Sequence, residues 1–265
     1  MSDNALTGRT AIVYGAAGGL GTGICTALAA AGAHVFLVGR TKETVDALAA
    51  EITAAGGSAE AAAFDALDED AVAAHAAAVV EQTGSLDISL NLITRGDVQG
   101  VPLIDMTADD LLRAVDTGLR ANFITAKIAA RHMVERGSGV IIALNSGSAH
   151  GSPMMGSTGP ADAALDIFVR NLAQEVGPRG VRVAGIWTAG VPETLSPEKL
   201  ATVNSGMELD EAAFQGVLDH LDGMRMLRRS PSLTQVADAT VFLASDAAGA
   251  ITGTWLNVTS GIFAS

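Results

Sequence analysis

Residues 10–32 read TAIVYGAAGGLGTGICTALAAAG: a short apolar run, a glycine-rich turn and a helical pattern in immediate succession. Thr10–Tyr14 has the length and composition of a buried strand. Gly15-Ala16-Ala17-Gly18-Gly19-Leu20-Gly21 follows at once, with the spacing Gly15-x3-Gly19-x-Gly21. Glycines at such positions allow left-handed turns and let backbone N–H groups approach a ligand with no Cβ in the way. The helix that follows turns its positive end on the same spot, an arrangement suited to a dinucleotide pyrophosphate. Gly15, Ala17, Gly19, Leu20 and Gly21 are therefore expected to hold the cofactor.

The alternation that begins there continues along the chain. Strands are expected at Thr10–Tyr14, His34–Gly39, Ser58–Phe64, Asp87–Ile93, Gly139–Asn145, Val181–Trp187 and Gly253–Val258. Helical patterns lie at 19–32, 42–56, 68–83, 107–136, 158–177 and 233–245. Near-continuous apolar runs joined by helical crossovers imply a parallel sheet covered on both faces. The expectation is a single α/β domain over residues 1–265, a Rossmann-type doubly wound sheet of seven parallel strands. Residues 191–229 break the rhythm after the sixth strand. Because ligands bind beyond the C-terminal strand ends of such sheets, this excursion is expected to be a substrate lid.

The chain of 265 residues is 49% hydrophobic and 17% charged, ample material for one large core. Its net charge of −13 argues against a nucleic-acid partner, which needs clustered Lys and Arg. Cys25, the single cysteine, has no internal partner and falls in a helical pattern as a small core residue. The first ten residues lack a basic-then-apolar leader, and the apolar stretches are interrupted by charges. A cytoplasmic protein without a membrane segment or metal site is expected.

The second strand ends in FLVGR, which places Gly39, Arg40 and Thr41 beside the adenosine ribose. An NAD-preferring site usually carries an acid there for the 2′-hydroxyl. Gly39 removes that acid, and the planar fork of Arg40 suits a 2′-phosphate. NADP(H) is favoured, with NAD(H) as the alternative.

These motifs resemble those of the short-chain dehydrogenase/reductase family, and the resemblance runs from residue 7 to about residue 261. Tyr14 through Gly21 match its T-G-x3-G-x-G turn apart from Tyr for Thr. Phe64-Asp65 matches the place where an Asp meets the adenine amine. Asn91 keeps the first residue of the family's N-N-A-G stretch. Gly190, Val191 and Thr194 lie in a stretch similar to P-G-x3-T, which holds the nicotinamide carboxamide. The ending FLASD…ITGTWLNVTSG matches closely. The resemblance also implies a homotetramer, or a homodimer, associated through residues 107–136 and 158–177.

The family normally works with Asn, Ser, Tyr and Lys. Aligned on the same pattern, this chain offers Gly118, Ser146, Thr158 and Asp162. Its only tyrosine is Tyr14. Ser146 is expected to bind a substrate oxygen, Thr158 to bind substrate, and His150 to be the nearest proton donor at neutral pH. Asp162 is expected either to serve its helix start or to accept from the nicotinamide ribose. Gly118 within a helix costs ~1 kcal/mol relative to Ala, which points to a bend or to close packing. The leading expectation is an NADP(H)-linked oxidoreductase with a non-standard site, acting on an activated C=C or C=N bond of a small molecule. The alternatives are a cofactor-binding homologue without redox activity, as a regulatory or partner subunit, and a non-redox cyclase or lyase.

Overall fold

Alternate residues of the first strand, β1 (Thr10–Tyr14), enter different cores: Ala11 and Val13 on one side, Ile12 and Tyr14 on the other. That two-sided burial recurs through the molecule. A computed structural model describes residues 4–204 and 209–264. It contains β2 (His34–Gly39), β3 (Ser58–Ala63), β4 (Ile88–Asn91), β5 (Gly139–Asn145), β6 (Val181–Trp187) and β7 (Trp255–Asn257). All pairings are parallel, in the order β3-β2-β1-β4-β5-β6-β7. The seven-stranded doubly wound sheet is as the sequence implied.

Eight α-helices are described: α1 (Gly19–Ala30), α2 (Lys42–Ala54), α3 (Glu69–Thr83), α4 (Ala108–Arg136), α5 (Thr158–Val176), α6 (Pro197–Val203), α7 (Glu211–Met224) and α8 (Leu233–Ala244). Helices α1, α2 and α8 cover one face, around Val13, Ile24, Val35 and Val241. Helices α3, α4 and α5 cover the other, around Ile12, Val72, Ile128 and Val169. Local chemistry fixes their ends. Thr107 accepts from Asp110 N at 3.1 Å to start α4, and Gly137 closes it at φ +79°. Ser232 and Gln235 form a reciprocal box at the start of α8.

Three strands are shorter than expected. The Asn91 side chain accepts from Ile93 N at 3.1 Å and turns the chain out of β4. The alanine-rich edge strand β3 stops at Ala63, and β7 spans only three residues. Helix α6, within the irregular interval, was not anticipated. Ser196 accepts from Lys199 N at 3.3 Å and Pro197 takes the first helical position, so SPEK opens α6. Residues 205–208 of the expected lid lie outside the described residues. Neither α6 nor α7 has a buried residue. No described helix is long and apolar enough to cross a membrane.

Candidate active site

The order of strands reverses between β1 and β4, and the crevice this opens is the natural ligand site of an open parallel sheet. A cleft of about 270 Å³ lies there. Gly15, Ala17 and Gly18 form one wall, Gly39, Arg40, Thr41 and Thr44 another, with Phe64, Asp65 and Leu92–Thr94 completing it. Gly15 stands at φ +78°, and a Cβ there would fall 2.7 Å from Leu92 O; at Gly21 one would fall 2.4 Å from Ala16 O. These two glycines keep turn, loop and helix in close approach. Gly18 gives α1 no side-chain cap and its first turn has no acid, so the helix keeps free N–H donors at the cleft. Those features fit a dinucleotide: an anion-accepting helix end, a groove toward the end of β2, and a cation at its rim.

The expected cofactor residues divide into wall and support. Gly15, Ala17, Arg40, Thr41 and Asp65 line the cleft, and Arg40 is exposed. Asp65 also accepts from Leu67 N at 3.0 Å. Asn91 is buried instead, donating to Thr125 Oγ1 at 3.1 Å while it holds Ile93, so it shapes the loop. Leu20 packs against the core. Thr194 leans over the glycine turn, its Cβ 3.0 Å from where a Gly19 Cβ would sit. Its hydroxyl donates to the carbonyl of buried Val191 at 2.8 Å. Gly190 (φ +57°) packs against Arg225, whose guanidinium donates to Ala189 O at 2.6 Å and Thr259 O at 3.1 Å. Sequence reasoning missed that fully buried arginine, which fastens the end of the 191–229 interval to the loop after β6. It also missed Lys199, whose Nζ would lie 3.4 Å from the same Cβ on Gly19.

The chemical corner lies at the C-terminal end of β5, where Ser146 and Ser148 meet the first turns of α5. Asp162 is fully buried there. Its Oδ2 accepts from Ser146 N (3.1 Å), Ser146 Oγ (2.6 Å) and Ser148 N (2.9 Å). Its Oδ1 accepts from Arg95 at 2.8 Å. The expectation that Asp162 serves its own helix start is thus corrected: it anchors the loop after β5. Arg95 also forms a two-pronged pair with Asp97, at 2.8 and 3.3 Å. Burial would lower the Arg95 pKa, but the two carboxylates outweigh burial and raise it, so the guanidinium stays charged. The stem of Arg95 occupies the space beside Gly118, where a Cβ would meet Arg95 Cδ at 2.5 Å. Close packing against Arg95 therefore accounts for a glycine inside α4.

Ser146 lies where expected, yet its hydroxyl donates to Asp162 and sits 2.7 Å from Ser148 Oγ. Thr158 is buried, accepting from Gln99 Nε2 at 3.0 Å. His150 is exposed; Nδ1 lies 3.1 Å from Gly147 O and the ring sits between Trp187 and Phe263. Ser146, Ser148 and Asp162 form one bonded cluster, and neither His150 nor Thr158 is bonded to it among the described residues. One turn farther along α5, Asp166 accepts from Asn145 (2.9 Å) and Trp187 (3.4 Å). Burial raises its carboxyl pKa, those two donors lower it, and the charge of Asp162 adds to the rise. Tyr14 lies in the core edge-on to Phe64, and burial raises its pKa. Arg95 was the missed centre of this corner. Its signal was an arginine in a loop that faces an aspartate in a helix-buried position.

The sheet, its switch-point cleft and the glycine turn define a dinucleotide-binding α/β protein. A family model described as enoyl-(acyl carrier protein) reductase matches residues 15–262. The 7alpha-hydroxysteroid dehydrogenase of Escherichia coli K12 is 30% identical over 98% of this chain and 96% of its own. The L-rhamnose 1-dehydrogenase (NAD(P)(+)) of Azotobacter vinelandii is 32% identical over 97% of this chain and 98% of its own. Among solved structures, a 7 alpha-hydroxysteroid dehydrogenase complexed with NADH and 7-oxo glycochenodeoxycholic acid superposes with a TM-score of 0.80. It is 27% identical, with 98% of this chain and 97% of that one covered. An NAD+-bound xylitol dehydrogenase, 24% identical, shares the fold with a TM-score of 0.84 over 97% of this chain and 99% of that one. The chain belongs to the short-chain dehydrogenase/reductase family of oxidoreductases.

Proposed function

We propose that this protein is an NADP(H)-dependent oxidoreductase whose proton supply departs from the family pattern, and that it reduces an activated C=C or C=N bond of a small molecule. The observation that carries the reading is the fate of the Ser146 hydroxyl, which donates to Asp162. With Thr158 and Asp162 standing where the family has Tyr and Lys, neither position offers a phenol or an ammonium to protonate a carbonyl oxygen. Loss of a general acid costs ~10²–10⁴-fold, so substrates that need none are favoured. When bound, the nicotinamide supplies the hydride.

The protein's own residues bind and orient. Arg40 and Thr41 take the 2′-phosphate end, with no acid at Gly39 to repel it. The free N–H groups of α1 take the pyrophosphate, and Asp65 the adenine. Gly190, Val191 and Thr194 carry the nicotinamide end, and the described residues of the 191–229 interval form a lid over it. Leu112, Phe123 and Ile167 are exposed on α4 and α5 (56%, 48% and 53%), which supports association of copies through those helices as a homotetramer or homodimer. A cytoplasmic setting completes the reading.

The saturated donors of the Ser146 loop favour one second reading, a cofactor-binding homologue that has lost redox chemistry. Absorbance at 340 nm with NADPH and a panel of activated alkenes, imines and simple ketones tests the choice. Substrate-dependent loss of absorbance with the activated substrates is expected. NADPH binding without any turnover would establish the second reading.

A further inference from the structure

We propose that the substrate of this site is a cation that needs no proton from the enzyme, a protonated imine or an N-alkyl iminium. In this account Asp97, Arg95 and Asp162 form the counter-charge that selects it. The inference rests on the reading of the chain as a hydride-transferring reductase.

Three features of the corner point the same way. The first is that the donors of the Ser146 loop are spent. Ser146 N, Ser146 Oγ and Ser148 N converge on a single oxygen, Asp162 Oδ2. A neutral carbonyl oxygen arriving beside that loop finds the Ser146 hydroxyl already committed. The second is charge. One guanidinium stands between two carboxylates, and the side chains of Arg95, Asp97 and Asp162 are only 14%, 14% and 0% exposed. The cluster is left with one excess negative charge that water screens poorly. Such a cluster opposes an anion or a developing oxyanion and favours a cation. A nearby carboxylate raises the pKa of a bound imine, enlarging the protonated fraction that accepts hydride.

The third feature is room for an apolar body. A cavity of about 360 Å³ adjoins Ser148 and is lined by Val101, Pro102, Leu103, Pro153 and Met154. A cyclic or aryl imine places its rings there and its charged C=N end at Ser148, whose N–H joins the cavity wall to Asp162. The step then balances without an enzyme acid. The iminium carbon gains a C–H bond from the hydride of reduced nicotinamide. The C=N π pair becomes the nitrogen lone pair, the nicotinamide is oxidised, and no proton is consumed.

The test uses the full chain with NADPH and four probes: dihydroisoquinoline, its N-methyl iminium salt, tetralone and cyclohexenone. NADPH binding is followed by fluorescence in parallel, and enzyme-free blanks are subtracted. Both nitrogen substrates are expected to exceed tetralone in kcat/KM by at least ~100-fold, the size of a missing acid. The N-methyl salt, which cannot be protonated, should be turned over as readily as the parent imine. Asp97→Asn should weaken calorimetric binding of N-methylisoquinolinium by roughly 10-fold while binding of neutral tetralin is unchanged. Turnover of cyclohexenone without turnover of either nitrogen substrate overturns this inference and leaves the reductase reading standing. Unchanged N-methylisoquinolinium affinity in the variant also overturns it. Failure to bind NADPH, or binding with no turnover of any probe, overturns the reductase reading and this inference with it.

Discussion

Replacing Arg95 with Met keeps most of the aliphatic stem beside Gly118 and removes the charge that faces Asp97 and Asp162. Breaking a buried ion pair from one side costs about 3–5 kcal/mol, because the remaining charge stays buried without its partner. Here the lower end applies. Asp162 keeps three other donors. A loss of about 3 kcal/mol in a chain of this length corresponds to a Tm lower by roughly 6–12 °C. Thermal unfolding followed by far-UV circular dichroism reads the shift, and a urea titration gives the free energy. The double variant Arg95→Met/Asp162→Asn removes the stranded carboxylate and should recover part of the loss. Residues in one ion-pair network couple by about 0.5–3 kcal/mol. A Tm drop under about 2 °C, or strict additivity in the double variant, would refute the claim that this pair holds the loop after β5.

Gly118→Ala should destabilise: the new Cβ meets Arg95 Cδ at 2.5 Å, and overpacking at about 1–3 kcal/mol outweighs the ~1 kcal/mol gained in helix propensity. A raised Tm would contradict the packing. For Asp87, burial alone would raise the carboxyl, but hydrogen bonds from Thr10 N, Ser85 and Arg136 outweigh it and hold the pKa below the usual value. The stability it contributes is therefore present above the unfolded pKa and lost as pH falls through the folded one; Asp87→Asn should flatten urea midpoints across that acid limb. Asp166 has the opposite sign. Its raised pKa gives stability that is present in acid and lost as pH rises, so Asp166→Asn should raise the urea midpoint at neutral pH and leave it unchanged in acid.

Much of the architecture was legible because its periodicities are strong. Apolar runs such as VFLVG and VIIALN are buried on both faces, and glycines or capping residues punctuate the helices. The strand ends were less legible, since β4 stops where the Asn91 side chain, not the apolar pattern, turns the backbone. The cleft was readable from local sequence: Gly15, Ala17, Arg40 and Thr41 lie close to β1 and β2, whose ends converge. The chemical corner was only half readable. Two of its departures appeared as separate oddities, a glycine at 118 and an aspartate at 162, while the arginine at 95 went unread. In three dimensions they are one exchange, in which Arg95 fills the space beside Gly118 and neutralises Asp162. A buried carboxylate demands a partner. That demand does not single out Arg95, because no sequence period links residues 67 apart.

The central claim, a site for NADP(H) at the β1–β4 crevice, is tested most directly by calorimetric titration of the purified protein with NADPH and NADH, alongside Arg40→Ala. Tighter binding of NADPH than NADH, with the difference lost in the variant, is the predicted result. Equal affinity for the two, or no binding of either, would contradict the account.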